Sequence, residues 1–322
     1  MYNILHKVIM TIRLQTPTIE KPLIQKKPDA ILQDVVKEIG SDKLIDDLII
    51  TNDIRCQYDK PSNYWSFHNR FLMVRQGTTD ARGKNQWLEW KPKGSSKTQI
   101  IDRKLNPDVN QKPVYIFGVR YVWMCIKCEV QLIDGKLETR CNNCKQSRQN
   151  NPKNFKSVFD GFSTIPLIRV EDTIGKPLPE TKPKKRPNLL DVATKMGLTV
   201  RYSDMSGLHG YYHTVNKEIV LATSDQTVFF HELAHAIDHK LNADFNKQSK
   251  AKCEAVAELT SCVIARMYGI ECIGQSQKYL KMYTKGKDAK WVSNLCMGVL
   301  NKVGVILDYI FNEKTKKGAK LK

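Results

Sequence analysis

The chain has 322 residues, a length typical of about two domains, and 41% of them are hydrophobic, which is enough for packed cores. Lysine and arginine number 52 against 33 aspartates and glutamates, so the formal net charge is +19, which favours nucleic acid over a membrane surface as the partner. Because the sequence has no secretory signal and no uninterrupted run of about 18 apolar residues, we expect a cytoplasmic protein with no membrane span. The nine cysteines are then expected to be thiols or metal ligands rather than disulfides.

The first half of the chain predicts helices followed by strands. Residues 1–27 are expected to form a poorly ordered leader, and helical spacing follows at 29–40 and 42–50. A third helix is predicted from Ser62 or Asn63 to Gly77. Strands are predicted where β-branched and aromatic residues concentrate, at 86–90, 113–125 and 163–172.

The second half begins after a stretch rich in proline and lysine, residues 176–187, which predicts a linker between two domains. Residues 312–322 are expected to be a solvated basic tail. The chain is therefore predicted to be α+β, with a mixed helix and sheet domain at 28–175 and a small α+β domain at 188–311. Within the second domain the pattern predicts a helix at 189–197, strands at 198–204 and 211–222, helices at 223–241 and 250–269, and two more helices between 275 and 311.

A His-Glu-x-x-His sequence begins at His231, inside the predicted helix 223–241. His231 and His235 are four residues apart, so on a helix they project from one face and can bind one metal ion. Glu232 can approach the same ion without being a ligand. We predict that it is the general base, because a metal lowers the pKa of bound water and a carboxylate can accept the proton. The alternative is a core helix that contains two histidines with satisfied hydrogen bonds.

A third metal ligand is expected, because catalytic zinc usually takes three protein ligands. Glu254 and Glu258 lie one turn apart in the predicted helix 250–269, among apolar neighbours. We predict that Glu254 is the ligand and that Glu258 accepts a hydrogen bond from a ligating histidine. The swapped assignment and two surface glutamates are the alternatives. His239 is predicted to be a non-ligand.

The strand region before this helix raises two further possibilities. Residues 218–221 are predicted to form an edge strand that holds an extended substrate by strand addition. His213, Tyr211 and Tyr212 either polarise a substrate carbonyl or are ordinary strand residues.

Four cysteines form two Cys-x-x-Cys pairs separated by twelve residues, which is a strong zinc pattern. An Asp134-Gly135 turn between the pairs predicts a hairpin that brings them together. Four thiolates close the coordination sphere, so the site is predicted to be structural, in a zinc-ribbon-like insertion at 121–148. The predicted ligands are Cys125, Cys128, Cys141 and Cys144.

Aromatic and basic residues alternate through the first domain. This composition is typical of single-strand binding, in which aromatic rings stack on bases and cations follow phosphates, although core aromatics on strands are equally common. The residues predicted to contact DNA are Trp65, Arg70, Trp87, Trp90, Lys91, Lys93 and Arg120.

The chain resembles ArdC-type antirestriction proteins of conjugative plasmids and phages. This resemblance implies an N-terminal single-stranded-DNA-binding domain and a C-terminal zinc-metallopeptidase-like domain, with the family's metal motif at His231, Glu232, His235 and Glu254. Family members are thought to protect incoming DNA from host restriction. The four-cysteine module departs from the family pattern. It either extends the surface that contacts DNA or only stabilises a loop. The resemblance rests on the sequences at 63–76, 86–94, 158–179, 209–222, 231–236 and 253–259.

These observations predict an antirestriction-type protein with two Zn²⁺ sites, one catalytic and one structural. Single-stranded DNA is the expected partner, and a protein is the expected substrate of the metallopeptidase domain. Two alternatives stay open. One is a DNA-tethered protease that cleaves proteins bound or crosslinked to DNA, and the other is a non-enzymatic protein that coats single strands.

Overall fold

The structure is a computed structural model. The predicted leader, the Asp134-Gly135 turn and the basic tail lie outside the residues that it describes, as do Cys56 and Cys272. The described residues are 30–31, 34–35, 38, 41–54, 58–129, 132, 140–141, 143–148, 150–179, 186–205, 207–271 and 289–311.

The fold is α+β, as predicted. The helices bounded by described residues are α1 (Asp42–Asp53), α2 (Phe67–Arg75), α3 (Leu189–Lys195), α4 (Gln226–Leu241), α5 (Lys250–Met267) and α6 (Ala289–Phe311). The strands are β1 (Ala81–Arg82), β2 (Glu89–Trp90), β3 (Gln99–Ile100), β4 (Arg103–Leu105), β5 (Val114–Cys125), β6 (Phe155–Arg169), β7 (Thr173–Gly175), β8 (Thr199–Tyr202), β9 (Gly210–His213) and β10 (Glu218–Leu221).

The prediction of where α2 begins was wrong. The helix begins at Phe67, because the Ser66 hydroxyl accepts the main-chain N–H of Asn69 and so caps its first turn. A short 3₁₀ turn, Pro61–Tyr64, precedes it. At the other end, Gly77 has a φ of 81°, a left-handed conformation that suits glycine after a helix.

The strand predicted at 86–90 was largely wrong. Residues Lys84–Trp87 form a 3₁₀ turn, and only Glu89–Trp90 is extended. The Trp87 side chain is 1% exposed, and its indole N–H donates to the main-chain oxygen of Ile168. Burial of this ring under β6 has overridden the local strand preference.

β5 and β6 form a long antiparallel ribbon, which confirms the strand predicted at 113–125. Their register runs from Val114 opposite Leu167 to Cys125 opposite Phe155. β6 contains a bulge: two residues separate Phe159 from Phe162, whereas one residue separates their partners Tyr121 and Val119 on β5. The ribbon therefore carries the first two cysteines at its far end, and β1 pairs with β6 at the other end.

In the second half a three-stranded sheet has the order β8-β10-β9. β10 pairs in parallel with β8 and antiparallel with β9, so it is the central strand. The prediction that 218–221 is an edge strand was therefore wrong. β9 is the edge strand that packs against α4.

One hydrophobic core joins helices from both sides of the predicted linker. Leu44 and Leu48 of α1 and Phe71 of α2 pack in the same buried cluster as Leu233 of α4 and Val303 of α6. The domain boundary at 176–187 stays a prediction, and the described helices on its two sides bury a common surface.

Helix α6 supplies much of that core. Its segment Asn294–Phe311 is long and apolar enough to cross a membrane by length and composition alone, although no unbroken apolar run marks it in the sequence. The segment is 56% buried inside the fold, and Val299, Leu300 and Leu307 are each at most 3% exposed there. Its apolar character is therefore accounted for by packing against neighbouring helices.

A buried ion pair ties α2 to α6. The Arg70 guanidinium donates to both carboxylate oxygens of Asp308, at 2.9 and 3.1 Å, and to the main-chain oxygen of Thr51. Arg70 is 0% exposed. Burial at this level means that each charge depends on the other, because a lone buried charge has no solvent to stabilise it.

We therefore expect Arg70→Ala to lower the free energy of unfolding by about 3–5 kcal/mol, since it removes a fully buried guanidinium together with its two hydrogen bonds to the Asp308 carboxylate. The exposed pair between Arg266 and Asp42, at 3.2 Å, is the control, and Arg266→Ala should cost at most about 1 kcal/mol. Urea unfolding followed by circular dichroism measures both. Equal losses in the two variants would contradict the account of the buried pair.

Candidate metal centre

Helix α4 presents the two histidines because its other face is anchored in the core. The Asp225 carboxylate accepts the main-chain N–H of Thr227 at 2.8 Å and caps the helix N-terminus. Phe230, Leu233 and Ile237 are at most 4% exposed. The buried stripe fixes the rotation of the helix, so that His231 and His235 face α5.

The three predicted ligands converge. Nε2 of His231 lies 3.1 Å from Nε2 of His235. An oxygen of Glu254 lies 3.3 Å from Nε2 of His231 and 3.7 Å from Nε2 of His235. Helix α5 brings Glu254 there by packing along α4, and Ser249 caps its first turn.

This donor set fits a divalent transition metal. Two nitrogens bound at about 2.0–2.1 Å to a tetrahedral zinc lie about 3.3–3.4 Å apart, close to the separations in the cluster. Two imidazoles and one carboxylate also suit manganese or cobalt, so the donors alone do not select zinc. Three converging donors leave room for a further ligand.

Glu258 lies on the other side of His231. One of its oxygens is 3.3 Å from Nδ1 of His231, so the ring has a carboxylate at each nitrogen. Burial alone would lower the pKa of His231, but the contacts to Glu254 and Glu258 outweigh it and raise the pKa to about 9. Hydrogen bonds to the two histidines hold the pKa of Glu254 well below its usual range. Glu254 is therefore one of the converging donors and Glu258 lies at Nδ1 of His231, and their roles as ligand and orienting residue stay predictions.

Glu232 is 8% exposed and is not one of the three converging donors. Burial raises the pKa of its carboxyl, and the neighbouring histidines and the nearby main-chain N–H of Tyr212 act in the opposite direction. A carboxylate with a raised pKa beside a metal-binding cluster is suited to accepting a proton from water.

A cleft of about 620 Å³ opens beside these residues. His231, Glu232 and Glu258 line it from the helices, and His209 and Gly210 line it from the start of β9. The cleft therefore lies between the free edge of the sheet and the candidate metal ligands, where an extended chain could enter.

The other polar side chains near the motif have partners of their own. The Tyr212 hydroxyl lies 2.9 Å from Nδ1 of His239, whose ring packs on Phe245. Nδ1 of His213 accepts the main-chain N–H of Asn216 in the β9–β10 turn. In this conformation His213 has the structural role that the sequence left open. His239, which the sequence predicted to be a non-ligand, is not among the converging donors.

Gly210 is a site residue that the sequence reasoning missed. A Cβ at this position would lie 2.7 Å from Cγ1 of Val228 on α4 and 3.2 Å from the main-chain oxygen of Val220. Glycine therefore permits β9 to approach the helix closely enough for the Tyr212 N–H to reach Glu232. A glycine opening a predicted strand is a signal of such close approach.

We expect Gly210→Ala to destabilise the protein by about 1–3 kcal/mol, because the added methyl overpacks the contact between β9 and α4. Gly83→Ala is the control, because its Cβ would meet no atom closer than 3.4 Å. Thermal and urea unfolding of both variants test this, and an unchanged midpoint for Gly210→Ala would show that β9 adjusts freely.

The four predicted zinc cysteines also converge. Their sulfurs all lie within 4.8 Å of one another, and Sγ of Cys125 is 3.7 Å from Sγ of Cys144. Sulfurs at about 2.3 Å from a tetrahedral zinc would be about 3.8 Å apart, so the cluster fits this ion. Main-chain N–H groups of Cys144 and Asn143 lower the pKa of the Cys141 thiol to about 6, which favours the thiolate form that binds metal.

Two of the predicted DNA-contacting residues are corrected by the structure. Arg70 is fully buried against Asp308, and Trp87 is 1% exposed under β6, so neither can contact a strand in this conformation. These two side chains contributed to the aromatic and basic composition that predicted DNA binding, but both are buried in the fold. Of the others, Lys91, Lys93 and Arg120 are exposed, and Trp65 and Trp90 are half-buried.

No family model matches the chain, and no curated protein matches it. Among solved structures, the chain is similar to the metal-free crystal structure of the antirestriction protein ArdC from plasmid R388, with a TM-score of 0.46 and 15% identity over 83% of this chain and 95% of that one. It is also similar to the Mn(II)-bound structure of that protein, with a TM-score of 0.40 and 15% identity over 82% of this chain and 97% of that one. Both neighbours are ArdC proteins, the type that the sequence motifs resemble.

Proposed function

We propose that this chain is an antirestriction-type protein that binds single-stranded DNA and carries a metal-dependent peptidase centre. The observation that supports the centre is the convergence of His231, His235 and Glu254 beside the buried Glu232 at an open cleft. The DNA partner and the protective role rest on the net charge of +19 and on the sequence motifs resembling ArdC-type proteins.

In the proposed chemistry His231, His235 and Glu254 would hold the ion. A divalent metal bound there would polarise a water molecule and a substrate carbonyl. The Glu232 carboxylate would accept a proton from the attacking water and would return it to the leaving amine. Glu258 keeps the His231 ring in orientation through its Nδ1 atom.

Substrate would enter along β9. In antiparallel pairing with β10, alternate main-chain groups of β9 point away from the sheet, towards the cleft. One of them, the N–H of Tyr212, faces the Glu232 carboxylate. An extended peptide added to this edge would bring a carbonyl beside the general base.

The test is incubation of the purified protein with an unfolded polypeptide, with and without a dT oligonucleotide, in the presence of zinc or manganese. New N-termini identified by mass spectrometry, absent in His231→Ala, would support the peptidase centre. No cleavage by fully metallated protein under any of these conditions would contradict it. Protection of DNA that enters a restricting host, measured for the same two proteins, tests the antirestriction role separately.

A DNA-tethered protease is the second candidate. Helices on both sides of the predicted linker pack in one hydrophobic core. This core would hold the proposed peptidase centre in a fixed position relative to the N-terminal half of the chain. In that case cleavage should be stronger for a protein crosslinked to the oligonucleotide than for the same protein free in solution. Protection that survives in a metal-free variant would instead favour the non-enzymatic coating function.

A further inference from the structure

Four aromatic rings form a continuous row on one face of the β5–β6 ribbon. Phe117 contacts Phe162, Phe162 contacts Phe159, and Phe159 contacts Tyr121, with ring centroids 5.5–6.3 Å apart. Phe162 is 65% exposed, Tyr121 56% and Phe159 54%. We refer to Phe117, Tyr121, Phe159 and Phe162 as the aromatic row.

The ribbon holds these rings in place. Val119 lies opposite Phe162 and Tyr121 opposite Phe159, so the row crosses between the two strands at the bulge. Gly161, with a φ of 95°, provides the extra residue of the bulge. On the other strand, the Asn69 side chain forms two hydrogen bonds with the main chain of Phe117, at 2.7 and 2.9 Å. The rings are therefore fixed in an exposed position by a paired and anchored backbone.

The surroundings of the row are basic. Near the end of the ribbon, the Arg148 guanidinium lies 4.4 Å from the centroid of the Trp123 ring, and Trp123 is two residues beyond Tyr121 on β5. Between residues 119 and 162 the described acids are Glu129 and Asp160, and Asp160 is paired with Arg120. The described cations in that interval are Arg120, Lys127, Arg140, Lys145, Arg148, Lys153 and Lys156.

We propose that the aromatic row is a stacking platform for single-stranded DNA, and that the four-cysteine module carries the cations that follow the strand's phosphates. The proposal rests on the proposed function for the class of partner and adds the surface that binds it. Its four stacking rings differ from the three tryptophans that the sequence predicted to contact DNA.

The geometry favours a single strand over a duplex. Base faces are open to such rings only when the strand is unpaired. A protein partner is disfavoured, because the core of a protein interface is depleted of charged residues, whereas the Arg148 guanidinium lies over Trp123 at the end of this row.

The test measures binding of a fluorescent dT oligonucleotide to the wild type and to the double variant Phe159→Ala/Phe162→Ala. Stacking on one aromatic side chain contributes about 1–3 kcal/mol, so each lost contact should weaken binding roughly 5- to 150-fold. Tyr202→Ala is the matched control. Tyr202 is also an exposed aromatic residue on a strand, with 70% exposure, but it lies on β8, away from the β5–β6 ribbon. Its affinity should equal that of the wild type.

Two further measurements separate the contributions of rings and cations. An abasic oligonucleotide of equal length should bind the wild type and the double variant equally, because only phosphates remain to be bound. Arg148→Gln should reduce the slope of log affinity against log salt by about 0.7 per lost phosphate contact, and the double variant should leave that slope unchanged.

Wild-type affinity in the double variant would overturn the aromatic row as the DNA surface while leaving the proposed function intact. A wild type that binds no oligonucleotide would overturn both. A double variant that changes only self-association, measured by light scattering, would assign the row to contacts between copies of the chain and would also overturn the proposal. Circular dichroism confirms that these exposed substitutions preserve the fold.

Discussion

Replacing Cys141 by serine is expected to release one metal ion per chain and to unfold the far end of the β5–β6 ribbon. The hydrophobic cluster there is small, with only Cys125, Leu132, Cys141 and Phe155 buried among the described residues. A cluster of this size cannot offset the conformational entropy of the loops that it orders. The ion is therefore expected to supply most of the local stability, and apparent binding free energies of structural zinc reach about 10–16 kcal/mol in small domains.

Hydrogen exchange of residues 121–155 measures this effect, together with metal content. We expect rapid exchange in Cys141→Ser and unchanged protection in α4 and α5, which lie in a different core. Cys296→Ala is the control, because Cys296 is buried but lies outside the cluster of four. Wild-type protection in metal-depleted Cys141→Ser would mean that packing alone holds the module.

Replacing Glu232 by glutamine is expected to reduce peptide hydrolysis by about 10²- to 10⁴-fold while leaving the metal bound. The amide has nearly the same shape but cannot accept a proton from water, and general base catalysis contributes an effect of this size. Metal binding should persist, because the converging donors are His231, His235 and Glu254.

Glu258→Gln separates orientation from proton transfer. Loss of a partner that orients a metal-ligating histidine typically costs about 10- to 100-fold in metal affinity, so activity should return when metal is added in excess. Glu232→Gln should not be rescued in this way. Measurement of kcat/KM against metal concentration distinguishes the two, and full activity in Glu232→Gln would rule out this residue as the general base.

The sequence predicts the local parts of both candidate metal centres well. A spacing of four residues puts His231 and His235 on one helical face without help from the rest of the fold, and Cys-x-x-Cys pairs form compact turns in the same way. Even Glu254, on a separate helix, is predictable, because a glutamate among buried apolar neighbours needs a polar partner. The structure brings these side chains together, and their roles in binding metal stay predictions.

The parts that failed depend on distant contacts. The partner of Arg70 is 238 residues away in the sequence, so nothing near Arg70 shows that it is buried. The same holds for Trp87, which donates to a strand 81 residues later. The positions of β9 and β10 in the sheet likewise depend on β8, which pairs with β10 and makes it the central strand. The alternation of apolar and polar residues within β9 and β10 does not predict this pairing.

The central claim is that this chain holds two separate metal ions, and metal content per chain tests it most directly. Mass spectrometry of the purified wild type, His231→Ala and Cys141→Ser should give two ions for the wild type and one for each variant, since the two donor clusters share no residue. A single ion that His231→Ala leaves in place would contradict the account, because the histidine cluster would then bind no metal.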